Sequence, residues 1–402
     1  MSGQKMMMDR RIFSAGLTTA FLGGRAMAAT PPQTPFLLGA DVSWIPQDEA
    51  QGATYFENGV QKDPLDILQG AGFNAIKLRL FVNPENGYSA RDPEAGWCGL
   101  EQTIKFARRI RARGMHLSLT FHYSDTWADP QKQTVPAAWE GLSLAQLCDA
   151  VHAHTHDSLK AMAEAGVSPD LVLVGNETTF GMLWPQGRVP LTLPTGNPQT
   201  DETHMKVEGA GGFDAFAALL KAGLAGVREA APKAQAAVHN HLGRHWPIVE
   251  NWTNALLQRG VAFDAVGFSC YQQEAEGDWE RTFANFGKQF PDQRFFIAEY
   301  SSRKRYVNEI ARKYGALGTY IWEPTRHQEA VFDQDGHNAG EGPKPNLLSQ
   351  GINSAEAPGA AISAGATPVP AAAPRPRNHG GRYDANALLG EYRQLSREFG
   401  LS

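Results

Sequence analysis

The sequence predicts an α/β fold, a closed (β/α)8 or TIM barrel. Three observations carry this: eight short apolar runs, amphipathic segments between most of them, and polar residues gathered where the runs end. The runs are residues 37–44, 75–82, 116–122, 171–175, 235–241, 265–271, 294–298 and 318–322. Parallel strands are buried on both faces, so they read as near-continuous apolar stretches rather than as strict alternation. Between them, apolar residues three and four apart mark helices over 64–69, 100–113, 144–164, 213–229, 247–258, 279–290 and 304–314. Several of these stop at glycine, as at Gly114, Gly166 and Gly260, where a left-handed cap needs no side chain. Eight strand–helix units favour a closed barrel over an open doubly wound sheet.

A dinucleotide site is excluded where it would be expected. The first strand runs into Ile45-Pro46-Gln47-Asp48 with no glycine-rich turn, and the cluster at 209–212 lies in a long polar loop. A net charge of -5 offers nothing to a phosphate backbone, so no nucleic-acid partner is expected. No run reaches about 20 apolar residues, so no membrane span is expected either.

The chain of 402 residues divides into four parts. Residues 1–28 resemble a twin-arginine export signal: Arg10-Arg11-Ile12-Phe13, then an apolar stretch to Gly24, then Ala26-Met27-Ala28 for cleavage. The mature protein is therefore expected in the periplasm or outside the cell, as a monomer. Residues 29–350 hold a single catalytic barrel. Residues 351–380, rich in alanine and proline, read as a disordered linker, and 381–402 as a C-terminal helix, with Tyr383 to Phe399 amphipathic. Three cysteines, Cys98, Cys148 and Cys270, form no disulfide framework; they leave room for one Cys98–Cys148 bridge, with Cys270 a buried thiol.

In such a barrel the reactive groups sit at the C-terminal ends of the strands. Those ends carry Asp41 and Ser43, Arg79, His122 to Asp125, Asn176-Glu177, His239-Asn240-His241, Tyr271, Glu299 and Trp322-Glu323. Glu177 follows five apolar residues or glycine and one asparagine, and Glu299 follows Phe295-Phe296-Ile297-Ala298. Carboxylates on apolar strands are costly to bury without a purpose or partner. At the ends of strands four and seven they would face each other across the mouth. Glycoside cleavage needs such a pair, one carboxyl as proton donor and one at the anomeric carbon. Glu177 is the acid/base candidate and Glu299 the nucleophile. Arg79 would keep Glu299 ionised if it reached it, and Asn176 would bind a sugar hydroxyl.

Leu38-Gly39-Ala40-Asp41-Val42-Ser43, the run from His122 to Pro130, Pro136 and Trp139 resemble glycoside hydrolase family 53, the endo-β-1,4-galactanases. So do Val174-Gly175-Asn176-Glu177, Gly181-Met182-Leu183-Trp184-Pro185, Ala298-Glu299 and Trp322-Glu323-Pro324, in the family's order over residues 36–348. The resemblance implies a retaining glycosidase acting on the β-1,4-galactan of type I arabinogalactan, with Glu177 and Glu299 catalytic. It also implies that Arg79, His122, Asp125, Trp127, Asn176, His241, Tyr271 and Trp322 line the cleft. Two stretches depart from the family: Gln272 to Asp278 lacks its aromatic and glycine-containing continuation, and the loop after Glu299 is short. No calcium is expected at that loop, and no cofactor or metal elsewhere.

Rival readings are weaker. His152, His154 and His156 would spread round one helix rather than converge on a metal. His122, His239 and His241 lack the His-x-His that a metal-dependent hydrolase barrel carries on its first strand. Asp333-Gln334-Asp335-Gly336 reads as a turn, not a calcium loop. A noncatalytic glycan-binding barrel would not need both glutamates, and the same chemistry on another β-linked glycan is the nearer alternative.

Overall fold

The computed structural model describes residues 35–189, 212–271, 277–327, 329–334 and 380–401. The strands are β1 (Leu37–Asp41), β2 (Ala53–Glu57), β3 (Val60–Lys62), β4 (Ala75–Leu80), β5 (His116–Phe121), β6 (Leu171–Val174), β7 (Gly181–Met182) and β8 (Gly187–Arg188). They continue with β9 (Gln235–Asn240), β10 (Ala265–Cys270), β11 (Arg294–Tyr300), β12 (Gly318–Trp322), β13 (Phe332–Gln334) and β14 (Gly381–Ala385). The helices are α1 (Ile45–Ala50), α2 (Pro64–Gly70), α3 (Leu100–Arg111), α4 (Leu144–Glu164), α5 (Gly212–Ala230), α6 (Trp246–Gln258), α7 (Gly277–Gln289), α8 (Lys304–Lys313) and α9 (Leu388–Phe399).

Eight strands close the barrel in the order β1-β12-β11-β10-β9-β6-β5-β4, all pairs parallel. Each corresponds to one of the eight apolar runs, with ends displaced by two residues or fewer except at the first, which stops at Asp41. The interior is packed with side chains of unequal size. Phe296 and Tyr320 fill it, while Ala75, Ala237 and Ala265 leave them room. Gly39 is small for the same reason, since a Cβ there would stand 2.4 Å from the Tyr320 ring. A larger cluster lies between the strands and the surrounding helices.

The C-terminus differs from the sequence reading. Residues 381–385 form a strand, not the start of a helix; β14 lies between β2, which it parallels, and β13, which it opposes. Tyr383 stacks on Tyr55 at 5.1 Å, and the side chain is fully buried. Helix α9 then packs beside α8 and against Phe36, Phe73 and Tyr300. It takes the place of the eighth barrel helix, which no segment directly after β12 supplies among the described residues. It is thus part of the barrel rather than an appendage. Amphipathic periodicity does not say which neighbour an apolar face meets, and a five-residue strand of alternating character is easily absorbed into a helical pattern.

Two smaller readings also change. The three cysteines are free thiols, with Cys98 and Cys270 buried, so there is no Cys98–Cys148 bridge. Asp333 and Gln334 lie in β13 rather than in a turn. The export signal, the linker over 351–379, residues 209–211, the loop 272–276, and Asp335 and Gly336 lie outside the described residues.

Candidate active site

Side chains alternate along a strand, so residues in phase with the packed interior reach the mouth at the strand ends. In β4 the phase set by Ala75 continues to Lys77 and Arg79; in β9 Ala237 leads to His239; in β10 Ala265 and Gly267 lead to Ser269. In β11 strict alternation would turn Glu299 outward, because Phe296 and Ala298 face in. The register shifts against both neighbours here: Phe268 pairs with Ile297 but Ser269 with Glu299, and Ile297 and Tyr300 pair with Thr319 and Ile321. This bulge re-aims Glu299 to the mouth and sends Tyr300 outward, where its hydroxyl meets that of Tyr392 on α9 at 2.8 Å.

Glu177 follows β6 in a left-handed conformation, φ 48°, at the start of a short 3-10 turn over Thr178–Phe180. Gly175 precedes it at φ 87°, a value that suits glycine. The end of β10 and the residue after it hold both carboxylates from alternate positions. Ser269 Oγ donates to Glu177 Oε1 at 2.7 Å, and Tyr271 OH donates to Glu299 Oε2 at 2.7 Å. Behind Ser269, its Oγ lies 3.0 Å from His239 Nε2.

The two glutamates have unlike surroundings. Burial pushes Glu177 well above the usual carboxylate range; the charge of Glu299 adds to this, and the Ser269 hydrogen bond pulls the other way. Glu299 instead has a cation, with Lys77 Nζ 3.1 Å from Oε1. Lys77 is itself buried and lies 3.3 Å from Asp41. Burial opposes its charge, but Glu299 and Asp41 outweigh that and raise its affinity for the proton. One carboxyl is therefore arranged to carry a proton, and the other faces an ammonium.

Arg79 serves a different pair. Its guanidinium lies 2.5 Å from Glu323 and 3.4 Å from Asp41, and sits 4.2 Å from the Trp127 ring centre. Burial drives fully enclosed Glu323 up to about 8, against the pull of Arg79. Trp44, Trp127 and Trp322 are half-buried and meet edge to face, 5.1 to 6.2 Å apart. They make a rigid aromatic wall with polar edges, and the Tyr271 ring stands perpendicular to Trp322.

A family model described as glycosyl hydrolase family 53 matches residues 37–316. The chain belongs to this family. It is 38% identical over 238 residues to an uncharacterised protein in the bgaB 5' region of Niallia circulans, covering 59% of each chain. It is 33% identical over 240 residues to an arabinogalactan endo-β-1,4-galactanase of Humicola insolens, covering 58% of this chain and 63% of that one. It thus spans about three-fifths of the length of those two relatives. Among solved structures it resembles the family 53 catalytic domain of Ignisphaera aggregans, with TM-score 0.62, 28% identity and 73% and 86% coverage. A fungal β-1,4-galactanase structure gives TM-score 0.61 and 27% identity, covering 72% of this chain and 90% of that one.

In this family 53 chain the expected residues lie at the C-terminal ends of the barrel strands, but some are used differently. Arg79 is paired with Glu323 and Asp41, and Lys77 holds the position by Glu299 that had been expected of Arg79. Asp125 accepts the backbone N–H of Asn83 through one oxygen and of Ala137 through the other, so it ties two loops together. His122 Nδ1 accepts from the Ala128 N–H, and burial keeps its ring well below the usual histidine range. Asn176 donates from Nδ2 to Ala128 O, while its buried Oδ1 has no hydrogen-bond partner among the described residues. His241 Nδ1 lies 2.7 Å from Thr179 Oγ1, and burial lowers it to about 3.

The sequence reading missed Lys77 and Ser269, and gave His239 and Glu323 no role. A usable signal was the period of two: Lys77 falls two residues after Ala75, and Ser269 two after Gly267. Of the helix α4 histidines, His152 and His156 stack with ring centres 6.0 Å apart and pair with Glu229 and Asp157, while His154 packs elsewhere, against Phe121, Tyr123 and Trp139.

Proposed function

We propose that this chain hydrolyses β-1,4-galactosidic bonds in galactan or type I arabinogalactan with retention of anomeric configuration. The observation that carries the reading is the asymmetry of the two carboxylates, Glu177 after β6 and Glu299 in β11: Glu177 is raised by burial, and Glu299 stands beside Lys77. In the first step Glu299 attacks the anomeric carbon while Glu177 gives its proton to the departing glycosidic oxygen. The proton deficit left on Glu177 makes it the base for the second step. It takes a proton from water, whose oxygen displaces Glu299 from the sugar, and both groups return to their starting states.

The substrate class rests on family membership and on the galactanase names of relatives such as the Humicola insolens protein. The sugar would lie against Trp127 and Trp322 with Arg79, His122, His241 and Tyr271 around it. Asn176 Oδ1, an acceptor with no partner among the described residues, would take a ring hydroxyl. Asp125 would act by fixing the loops that hold Trp127. Export belongs to the same reading: residues 1–28 would be removed and the enzyme would work outside the cytoplasm. N-terminal sequencing of the mature protein should begin near Ala29.

The test is to incubate the purified protein with galactan, arabinogalactan, mannan, xylan and cellulose. Release of short galacto-oligosaccharides from the galactans alone is expected, with β-anomers first by NMR. Release from none would refute the enzyme, and release from another glycan would move the specificity. Glu299→Ala should abolish turnover yet leave glycan binding; a lectin would be indifferent to it.

A further inference from the structure

His239 stands one place behind the residue that holds Glu177, and the two-carboxylate chemistry above gives it no part. Its side chain is fully buried. The ring reaches Ser269: Nε2 lies 3.0 Å from Oγ, which in turn donates to Glu177 Oε1 at 2.7 Å. A second tie runs through the backbone, where Thr178 Oγ1, one residue past Glu177, donates to His239 O at 3.1 Å.

Counting protons fixes the direction of this chain. A serine hydroxyl has one proton to give, and a neutral imidazole has one N–H. Burial, with the charge of Lys77 acting the same way, holds the His239 ring well below the usual histidine range, so it is neutral. Once the hydroxyl proton goes to Glu177, Ser269 Oγ can only accept from the ring. An N–H on Nδ1 would set two lone pairs against each other, or would draw the hydroxyl proton to Nε2 and strip the bond from Glu177. It would also be a buried donor without an acceptor, since Nδ1 has no hydrogen-bond partner among the described residues.

Glu177 Oε1 is thus an acceptor in both the ionised and the protonated carboxyl. Its other oxygen, Oε2, receives no hydrogen bond from the described residues. The charged and titratable groups nearby are Lys77, His122 and His241 around His239, and Glu299 and Asp129 around Glu177. None of them is hydrogen-bonded to Ser269 Oγ or to His239 Nε2 among the described residues.

We infer that His239 is a positioning residue for the acid/base step: as the Nε2–H tautomer it keeps Ser269 a permanent donor to Glu177 Oε1, which assigns the transferred proton to Oε2. In the reaction that proton passes from Oε2 to the departing oxygen, and Ser269 and His239 keep theirs. The inference deepens the glycosidase reading and rests on it.

Two measurements test it. In the ¹⁵N-histidine-labelled wild-type protein, the His239 ring, identified by the signal that His239→Gln removes, should show a protonated Nε2 and a bare Nδ1 from about pH 5 to pH 8. A protonated Nδ1 anywhere in that range would overturn the proposal, whatever the protein hydrolyses. The second is the pH profile of kcat/KM on galactan for His239→Leu, His239→Gln, Ser269→Ala and the double variant Ser269→Ala/His239→Leu. A hydrogen bond into Oγ strengthens the one leaving it, so His239→Leu should move the alkaline limb up by a few tenths of a pH unit. His239→Gln, whose amide can still donate to Oγ, should restore the limb, and the double variant should shift no further than Ser269→Ala alone. An unmoved limb in His239→Leu, or shifts that add in the double variant, would mean that His239 only packs. A wild type that hydrolyses no glycan would refute the glycosidase reading, while the ring spectrum would still decide the direction of the chain.

Discussion

Ending the chain at residue 379 removes β14 and α9, and should unfold the barrel rather than trim it. Four side chains in the lost segment are fully buried: Tyr383, Leu389, Tyr392 and Leu395. At about 1.5 to 3 kcal/mol for each large apolar side chain buried, their removal forfeits roughly 6 to 12 kcal/mol. Whole-domain stability is typically about 5 to 15 kcal/mol, so the loss is of the same size. The cut also opens Phe36, Phe73 and Tyr55, and leaves the Tyr300 hydroxyl without Tyr392. Tyr300 is the residue next to Glu299 on the bulged strand, so damage there reaches the proposed nucleophile. The assay is a thermal melt by far-UV circular dichroism of the full chain and of residues 1–379. The short chain should show no cooperative transition and no hydrolysis. A graded control, Leu395→Ala, should keep the fold and cost about 2 to 5 kcal/mol. If the short chain melts cooperatively within a few degrees of the full one, α9 is not the eighth barrel helix in any energetic sense.

Ser269→Ala removes a bond that favours the ionised form of Glu177, so Glu177 should hold its proton more tightly. The alkaline limb of kcat/KM, where the acid loses its proton, should then move to higher pH; a lower rate with an unmoved limb would mean that Ser269 only packs. Gly39→Ala should destabilise the barrel, since the new methyl would overlap the Tyr320 ring and the Thr319 carbonyl; an unchanged melting temperature would contradict the packing. Acid should also destabilise the fold. Burial lowers His241 to about 3 and His154 and His327 to about 4, and holds His122 and His239 well below normal. These rings stay neutral in the fold while the unfolded chain protonates them, so stability falls as pH drops from about 6.5 toward 4, by about 1.4 kcal/mol per unit for each. His116 is lowered by burial as well, so Asp48, Glu177 and Glu323, all raised by burial and of opposite sign, stand three against six and offset only part. A melting temperature no lower at pH 4.5 than at pH 6.5 would refute this.

Much of the architecture was legible because burial on both faces forces each barrel strand to be a short apolar run, and turns cut the runs cleanly. The polar residues at their ends were legible for the same reason: a Glu after Leu171-Val172-Leu173-Val174 is conspicuous. Partner choice was not. Lys77 and Arg79 are two residues apart on one strand and share a face, and both are cations within reach of carboxylates. Only the inclination and register of the neighbouring strands gave Glu299 to Lys77 and Glu323 to Arg79. Likewise, alternation along β11 would have turned Glu299 away from the mouth. A one-residue bulge, set by pairing with β10 and β12, reversed that.

By itself the sequence determined the eight units, their order, and two glutamates at the ends of the fourth and seventh barrel strands, because local burial and period are written residue by residue. The tertiary structure alone decided where α9 docks, that β14 joins β2 and β13, and which cation faces which acid. Those are contacts between segments far apart in the chain, and their energies depend on distance and on exclusion of water, which no local pattern encodes.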